Sequence, residues 1–172
     1  MKIIGIAGWS GSGKTTLLTR LLPDLVGRGL RVSTVKHAHM HFDADRPGKD
    51  SYRHREAGAT EVAVISPSRW ALMHESRGES EAALEEIMRR MSPVDLLMVE
   101  GFKMHDHDKI EVYRRTLGKP MLWPNDRRVV AIASDDPALD SALPRFHLDD
   151  IGAIAAFICR HCGFADLSRR RA

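Results

Sequence analysis

Apolar and polar positions alternate along this chain so as to divide it into short strand-like runs separated by helical stretches. Lys2-Ile3-Ile4-Gly5-Ile6-Ala7 is an apolar run of strand length, and after a glycine-rich turn Lys14 to Leu22 carries apolar residues at helical spacing. Pro23 leaves open whether that helix stops or continues through Leu25 and Val26 to Gly27 and Gly29, whose permissive dihedrals suit a stop. Arg31 to Lys36 reads as a second strand. Residues 37 to 50 show no apolar periodicity and predict a long loop of the length that usually carries function.

A short helix from Asp50 to Ala57 follows, then two strand-like runs, Glu61 to Ser66 and Arg69 to His74, which Pro67-Ser68 joins as a hairpin. Ser80 to Met91 places Ala83, Leu84, Ile87, Met88 and Met91 at helical spacing. The apolar run Leu96-Leu97-Met98-Val99 predicts a buried parallel strand, and further strands are expected at Ile110 to Tyr113 and Val129 to Ala133, with a closing helix from Ile151 to Cys162. Strand and helix in alternation predict an α/β fold in three layers: a mostly parallel central sheet, helices on both faces and the antiparallel hairpin as an insertion. Ligands of such sheets bind beyond the carboxyl ends of the strands.

The length of 172 residues fits one domain at about 150 residues per domain. A single nucleotide-binding domain is expected over 1–165, with a basic tail over 166–172. No run approaches the length of a membrane span, and the apolar opening is interrupted by Ser10 and Lys14 before a secretory segment forms. The cysteines Cys159 and Cys162 lie three apart near the end and staple nothing distant, so a reducing cytoplasm is expected. The net charge of +3 owes part of its excess to Arg169-Arg170-Arg171, and aromatic residues make up only 6%, so no basic, aromatic-studded nucleic-acid surface is legible.

Gly8-Trp9-Ser10-Gly11-Ser12-Gly13-Lys14-Thr15 fits the phosphate-loop pattern G-x-x-x-x-G-K-[ST] without a mismatch, after a strand and opening a helix. Its glycines allow successive backbone N–H groups to turn toward phosphate oxygens. Lys14 reaches the β and γ phosphates, and Thr15 can ligate magnesium. Gly11, Ser12, Gly13, Lys14, Thr15 and Thr16 are therefore the nucleotide-binding candidates, with Lys14 also the catalytic one. A carboxylate partner for the metal is expected at the end of an apolar strand, where Glu100 stands before Gly101. Asp95 begins the same run and lies at its wrong end.

His37, His39 and His41 stand two apart, on one side of an extended chain, and suit phosphate contact, a metal such as zinc or nickel, or a plain polar loop. Asp43 is a candidate for positioning the attacking water, and Lys49 in Gly48-Lys49-Asp50-Ser51 adds a second cation. His105-Asp106-His107-Asp108 reads as an exposed polar loop more readily than as a metal cluster. Asp135 closes a late strand, where its carboxylate can accept the N1–H and N2–H₂ donors of guanine, a pairing adenine cannot make. Asp136 before Pro137 reads as a helix N-cap followed by proline at N1.

Taken together, the blocks Gly8 to Thr15, Val35-Lys36-His37, Asp43, Gly48-Lys49-Asp50-Ser51, Arg69-Trp70-Ala71-Leu72-Met73, Val99-Glu100-Gly101-Phe102-Lys103 and Ala133-Ser134-Asp135 closely resemble the molybdopterin-guanine dinucleotide biosynthesis adapter family, MobB, from the first strand to about residue 158. The resemblance implies an often dimeric GTP-binding protein with weak GTPase activity that assists a molybdenum cofactor guanylyltransferase in joining GMP to molybdopterin; with the magnesium expected at Thr15, GTP and Mg²⁺ are the expected ligands. It also implies nucleotide contacts at Gly11, Gly13, Lys14, Thr15 and Thr16, with Glu100 as the acidic metal partner. Whether molybdopterin itself is held stays open. Two other readings compete: a phosphate-loop kinase of a small molecule, using Arg53, Arg55 and Asp43 at its acceptor, and a GTP-dependent metal-insertion chaperone using His37, His39 and His41.

Overall fold

The order of elements follows the alternation of the sequence. In a computed structural model, which describes residues 1–38 and 42–164, these are β1 (Lys2–Ala7), α1 (Lys14–Gly27), β2 (Val32–Lys36), α2 (Asp50–Glu56), β3 (Glu61–Ile65), β4 (Trp70–His74), α3 (Leu84–Arg90), β5 (Leu96–Glu100), β6 (Lys109–Tyr113), β7 (Val129–Ser134), β8 (Arg145–His147) and α4 (Ile151–His161). Single 3-10 turns occur at Arg115–Leu117 and Trp123–Asn125. The described residues divide into two compact units, one of residues 1–38 and 93–164 and one of residues 42–92.

The first unit holds a six-stranded sheet in the order β2-β5-β1-β6-β7-β8, with every neighbouring pair parallel. The expected mostly parallel sheet is thus wholly parallel. Its central strands are apolar on both faces because both are covered: β5 is buried at all five positions. On one face Ile4, Ile6, Leu96, Met98, Ile110 and Val112 meet Leu17, Leu18, Leu21 and Leu25 of α1 and Ile154, Ala155, Ile158 and Cys159 of α4. A second cluster packs Val129, Ile132 and Leu139 against Met121, Leu122, Trp123 and Leu143. Glu111 is buried on β6, where its carboxylate accepts from the backbone N–H groups of Leu122 and Trp123 at 2.7 and 3.0 Å.

Helix α1 continues through Pro23. That residue and Thr19, whose carbonyl loses its helical donor, are both exposed, so the unmade bond falls on the solvent-facing side of the helix, where it costs least. The helix ends at Gly27, and Gly29 at φ +91 turns the chain into β2.

In the second unit β3 and β4 form the expected antiparallel hairpin in register from Glu61↔His74 to Ile65↔Trp70, preceded by α2 and followed by α3. Helix α3 begins at Leu84, four residues later than the apolar spacing from Ser80 predicts, after Ala83 in extended backbone. Arg145–His147 forms a strand that its single apolar residue, Phe146, does not announce. The helix expected from Asp136-Pro137 does not form. Asp136 Oδ1 instead accepts from Ala138 N at 3.0 Å, closing an Asx turn, the other conformation in which such a side chain satisfies the backbone. Among the described residues no helix is long and apolar enough to cross a membrane.

Candidate functional site

The parallel sheet brings the carboxyl ends of β1, β2 and β5 side by side, and the first candidate residues stand there. Strand β1 delivers Gly8 in a backbone conformation, φ +144, that side chains rarely adopt; a Cβ here would lie 2.5 Å from the carbonyl oxygen of Val112. Gly13 at φ +98 is the N-cap of α1, with no side chain bonding the first turn, so the helix opens on bare backbone donors. Lys14 follows and donates from Nζ to the carbonyl oxygen of Trp9 at 3.0 Å, curling back over the loop. Burial pushes its pKa down; Glu100 opposes this, and Lys103 and Lys36 add to it. Ser12 is buried, and its hydroxyl has no hydrogen-bond partner in the structure.

The registers Ile6↔Glu100 and Lys36↔Glu100 place Glu100 between the ends of β1 and β2. Glu100 is 5% exposed. Its Oε1 accepts from Thr15 Oγ1 at 2.6 Å and lies 3.4 Å from Lys36 Nζ. Thr15 and Glu100, 85 positions apart, thus bring a hydroxyl and a buried carboxylate together, hard oxygens of the kind that could hold a magnesium ion. Asp95 sits before the strand and accepts from Arg31 N at 2.8 Å.

Asp135 follows β7 and pairs with Arg114, which follows β6. Arg114 Nε also donates to the carbonyl oxygen of Ser12 at 3.0 Å, and its guanidinium would lie 3.5 Å from a Cβ at Gly13. One arginine therefore links the phosphate loop to Asp135. Sequence reading missed it, although its place directly after a parallel strand was the available signal. Trp9 was missed likewise. Its Nε1–H donates to Pro120 O at 2.7 Å, and Lys103 Nζ stands 4.2 Å from its ring centroid.

His37 donates from its backbone N to Glu100 O at 2.9 Å, and its ring packs 4.6 Å from that of Phe102. Gly101, at φ +91, passes so close that a Cβ would stand 3.0 Å from His37 Cβ. His39 and His41 lie outside the described residues, as does the expected tail at 166–172. Asp43 and Lys49 belong to the second unit. There Asp43 accepts from Arg55 at 2.9 and 3.1 Å and from Asp45 N at 2.9 Å; the backbone bond first, then Arg55, holds its carboxyl below the usual range. Lys49 is the exposed N-cap residue of α2. Arg55, read as an acceptor-site residue for a kinase, also pairs with Glu75 at 2.7 Å.

The loop at 105–108 is less exposed than its polarity predicts. His107 is buried, with its Nδ1 2.9 Å from His105 Nδ1, and burial together with Lys109 and His105 pushes its pKa down to about 4. Among the described residues no three His, Cys, Asp or Glu side chains converge as a metal site.

The sequence from residue 3 to 135 matches the model of the family described as MobB, molybdopterin guanine dinucleotide synthesis protein B. An Escherichia coli (strain K12) protein named molybdopterin-guanine dinucleotide biosynthesis adapter protein is 45% identical over 160 residues, covering 91% of this chain and 90% of that one. A Haemophilus influenzae protein of the same name is 40% identical over 159 residues, covering 91% and 86%. A solved structure titled molybdopterin-guanine biosynthesis protein B superposes with a TM-score of 0.75 at 33% identity, over 94% of this chain and 99% of that one. The Bacillus subtilis MobB structure gives 0.70 at 26%, over 93% and 97%. With the family model spanning the phosphate loop, Glu100 and Asp135 alike, this chain belongs to the MobB family of molybdopterin-guanine dinucleotide biosynthesis adapter proteins.

Proposed function

We propose that this protein is a cytoplasmic GTP-binding adapter that holds Mg-GTP, hydrolyses it slowly and assists a guanylyltransferase in attaching GMP to molybdopterin. The observation that carries the reading is the Thr15–Glu100 contact at the mouth of the loop. It sets a hydroxyl and a buried carboxylate where a magnesium ion would join them to the phosphates. The orphaned Ser12 hydroxyl and the glycine backbone around it fit an anionic ligand in the same loop. When bound, magnesium neutralises phosphate charge and fixes the terminal phosphates in place.

Each residue then has a task. Lys14 exchanges the Trp9 carbonyl for phosphate oxygens. The backbone donors of Gly13 to Thr16 receive the remaining phosphate charge, and Asp135, held by Arg114, accepts from the guanine edge. Asp43 is engaged by Arg55, which accords with a protein whose bound state matters more than its turnover.

The protein acts as a homodimer through the hairpin of its second unit. Val64, Ile65, Trp70 and Leu72 on β3 and β4 are large, apolar and exposed, as an interface with a second copy requires. The test is reconstitution: a purified guanylyltransferase is supplied with molybdopterin and GTP, with and without this protein. Faster dinucleotide formation with the wild type, lost with Lys14→Ala, is expected. Equal rates in all three reactions would overturn the reading.

A further inference from the structure

The cations around the phosphate loop outnumber the carboxylates that face them. Lys14 lies on the Trp9 carbonyl and Lys36 on Glu100. Lys103 and Lys119 both converge on the Trp9 indole, their Nζ atoms 4.2 and 6.0 Å from its centroid. Neither has a carboxylate within ion-pair distance among the described residues. An ammonium held by a ring quadrupole is held weakly compared with one on a phosphate oxygen, so this arrangement has charge to give to an anion.

The place of the anion follows from Lys14. A phosphate-loop lysine reaches the β and γ phosphates, and here its ammonium lies at Trp9, so the terminal-phosphate end of the loop is the Trp9 end. Trp9 is pinned there by its bond to Pro120 O. Lys103 arrives three residues after Glu100, through Gly101 at φ +91 and Phe102 at φ +45. A left-handed phenylalanine is strained, and its ring contacts with His37 and His105 help hold it in that conformation. The carbonyl of Lys103 accepts from the buried Lys109 Nζ at 2.9 Å. Its backbone is thereby fixed while its ammonium rests on a ring face, an arrangement in which only the side chain has to move.

We infer that Lys103 reads the terminal phosphate: it rests on the Trp9 indole when the bound nucleotide ends at the β phosphate and turns onto a γ-phosphate oxygen when a triphosphate is present, so that the protein prefers nucleoside triphosphates to diphosphates. The inference rests on the nucleotide-binding reading above and adds which phosphorylation state the site selects. Lys119, farther from the ring, adds to the positive potential without making the contact.

The experiment is calorimetry of GTP and GDP with magnesium on the wild type, Lys103→Met and Lys103→Arg. Lys103→Met keeps the apolar stem and is expected to lose about tenfold in GTP affinity while GDP stays within about twofold, with Lys103→Arg recovering most of the GTP affinity. Unchanged GDP binding also shows that the variant is folded. An equal loss for both nucleotides, or an unchanged GTP-to-GDP ratio, overturns the assignment while leaving nucleotide binding intact. A wild type that binds neither nucleotide overturns the nucleotide reading and this inference with it. A wild type that takes adenine nucleotides overturns the guanine assignment alone, and Lys103 is then judged by the ATP-to-ADP ratio with the same outcomes.

Discussion

Replacing Glu100 with Gln separates a structural carboxylate from a metal-binding one. The side chain is buried and makes two contacts, with Thr15 Oγ1 at 2.6 Å and Lys36 Nζ at 3.4 Å. The glutamine oxygen still accepts from Thr15. Lys36 has a side chain 59% exposed and can turn to water, so the lost ion pair costs at most about 1 kcal/mol. For a chain of this size that moves Tm by about 2–4 °C. Removing the charge from an oxygen proposed to face the metal is a larger loss: about 1.5–3 kcal/mol, the range of a hydrogen bond to a charged group, or about 10–150-fold in affinity.

The assay is calorimetric GTP titration of wild type and Glu100→Gln in magnesium and in chelator, with thermal unfolding in parallel. The expected result is that the variant in magnesium binds about as weakly as the wild type in chelator, with Tm nearly unchanged. Asp95→Asn, at the other end of the strand, keeps wild-type affinity. Glu100→Gln binding Mg-GTP as the wild type does, with the same response to chelator, would refute the role assigned to this carboxylate.

Lys109 is buried, and its ammonium donates to Lys103 O, His105 O and Asp126 Oδ2 at 2.9, 2.9 and 2.8 Å, so Lys109→Ala takes that donor from Asp126 Oδ2 and two carbonyls, leaving Asp126 only its bond from Arg128 N, and is expected to cost about 3–5 kcal/mol, read by urea unfolding. Leu21 is fully buried between α1 and the sheet, and Leu21→Ala is expected to cost about 2–5 kcal/mol in the same measurement, without altering the relative affinities for GTP and ATP. The buried ring of His107 titrates at about 4 instead of 6.5, so between those values the unfolded chain binds more protons than the folded one. Stability is therefore full above the upper value and falls as pH drops toward the lower, by about 3 kcal/mol at most from this group. Tm followed from pH 7 to pH 4.5 is expected to fall less steeply in His107→Asn than in the wild type, and parallel curves would rule out the ring as the source.

The parts of the fold visible in the sequence are those written in contiguous residues. The phosphate loop, the apolar β5 and the hairpin around Pro67-Ser68 each carry their own local pattern, and each stands where expected. Glu100 was legible because a strand end is a place defined by sequence. Arg114 also follows a strand end, but the contact that gives it a place at the site was not legible, because it bonds a carbonyl 102 positions away, at Ser12, and no spacing encodes that. The same holds for Trp9 and Pro120, 111 positions apart. Asp136-Pro137 carries a signal that a helix start and an Asx turn share, and the chain takes the turn although Leu139, Ala142 and Leu143 keep helical spacing after it. The polarity of residues 105 to 108 suggested solvent, yet His107 is buried close to Gly5, where a Cβ would lie 2.5 Å from its Nε2. A glycine's missing side chain makes room that a polarity pattern does not record.

The most direct measurement of the central claim is the affinity for GTP and for ATP, with magnesium, of the wild type and of Lys14→Ala. Tight GTP binding, weak ATP binding and loss of both in Lys14→Ala is the predicted result; equal or tighter binding of ATP would contradict it.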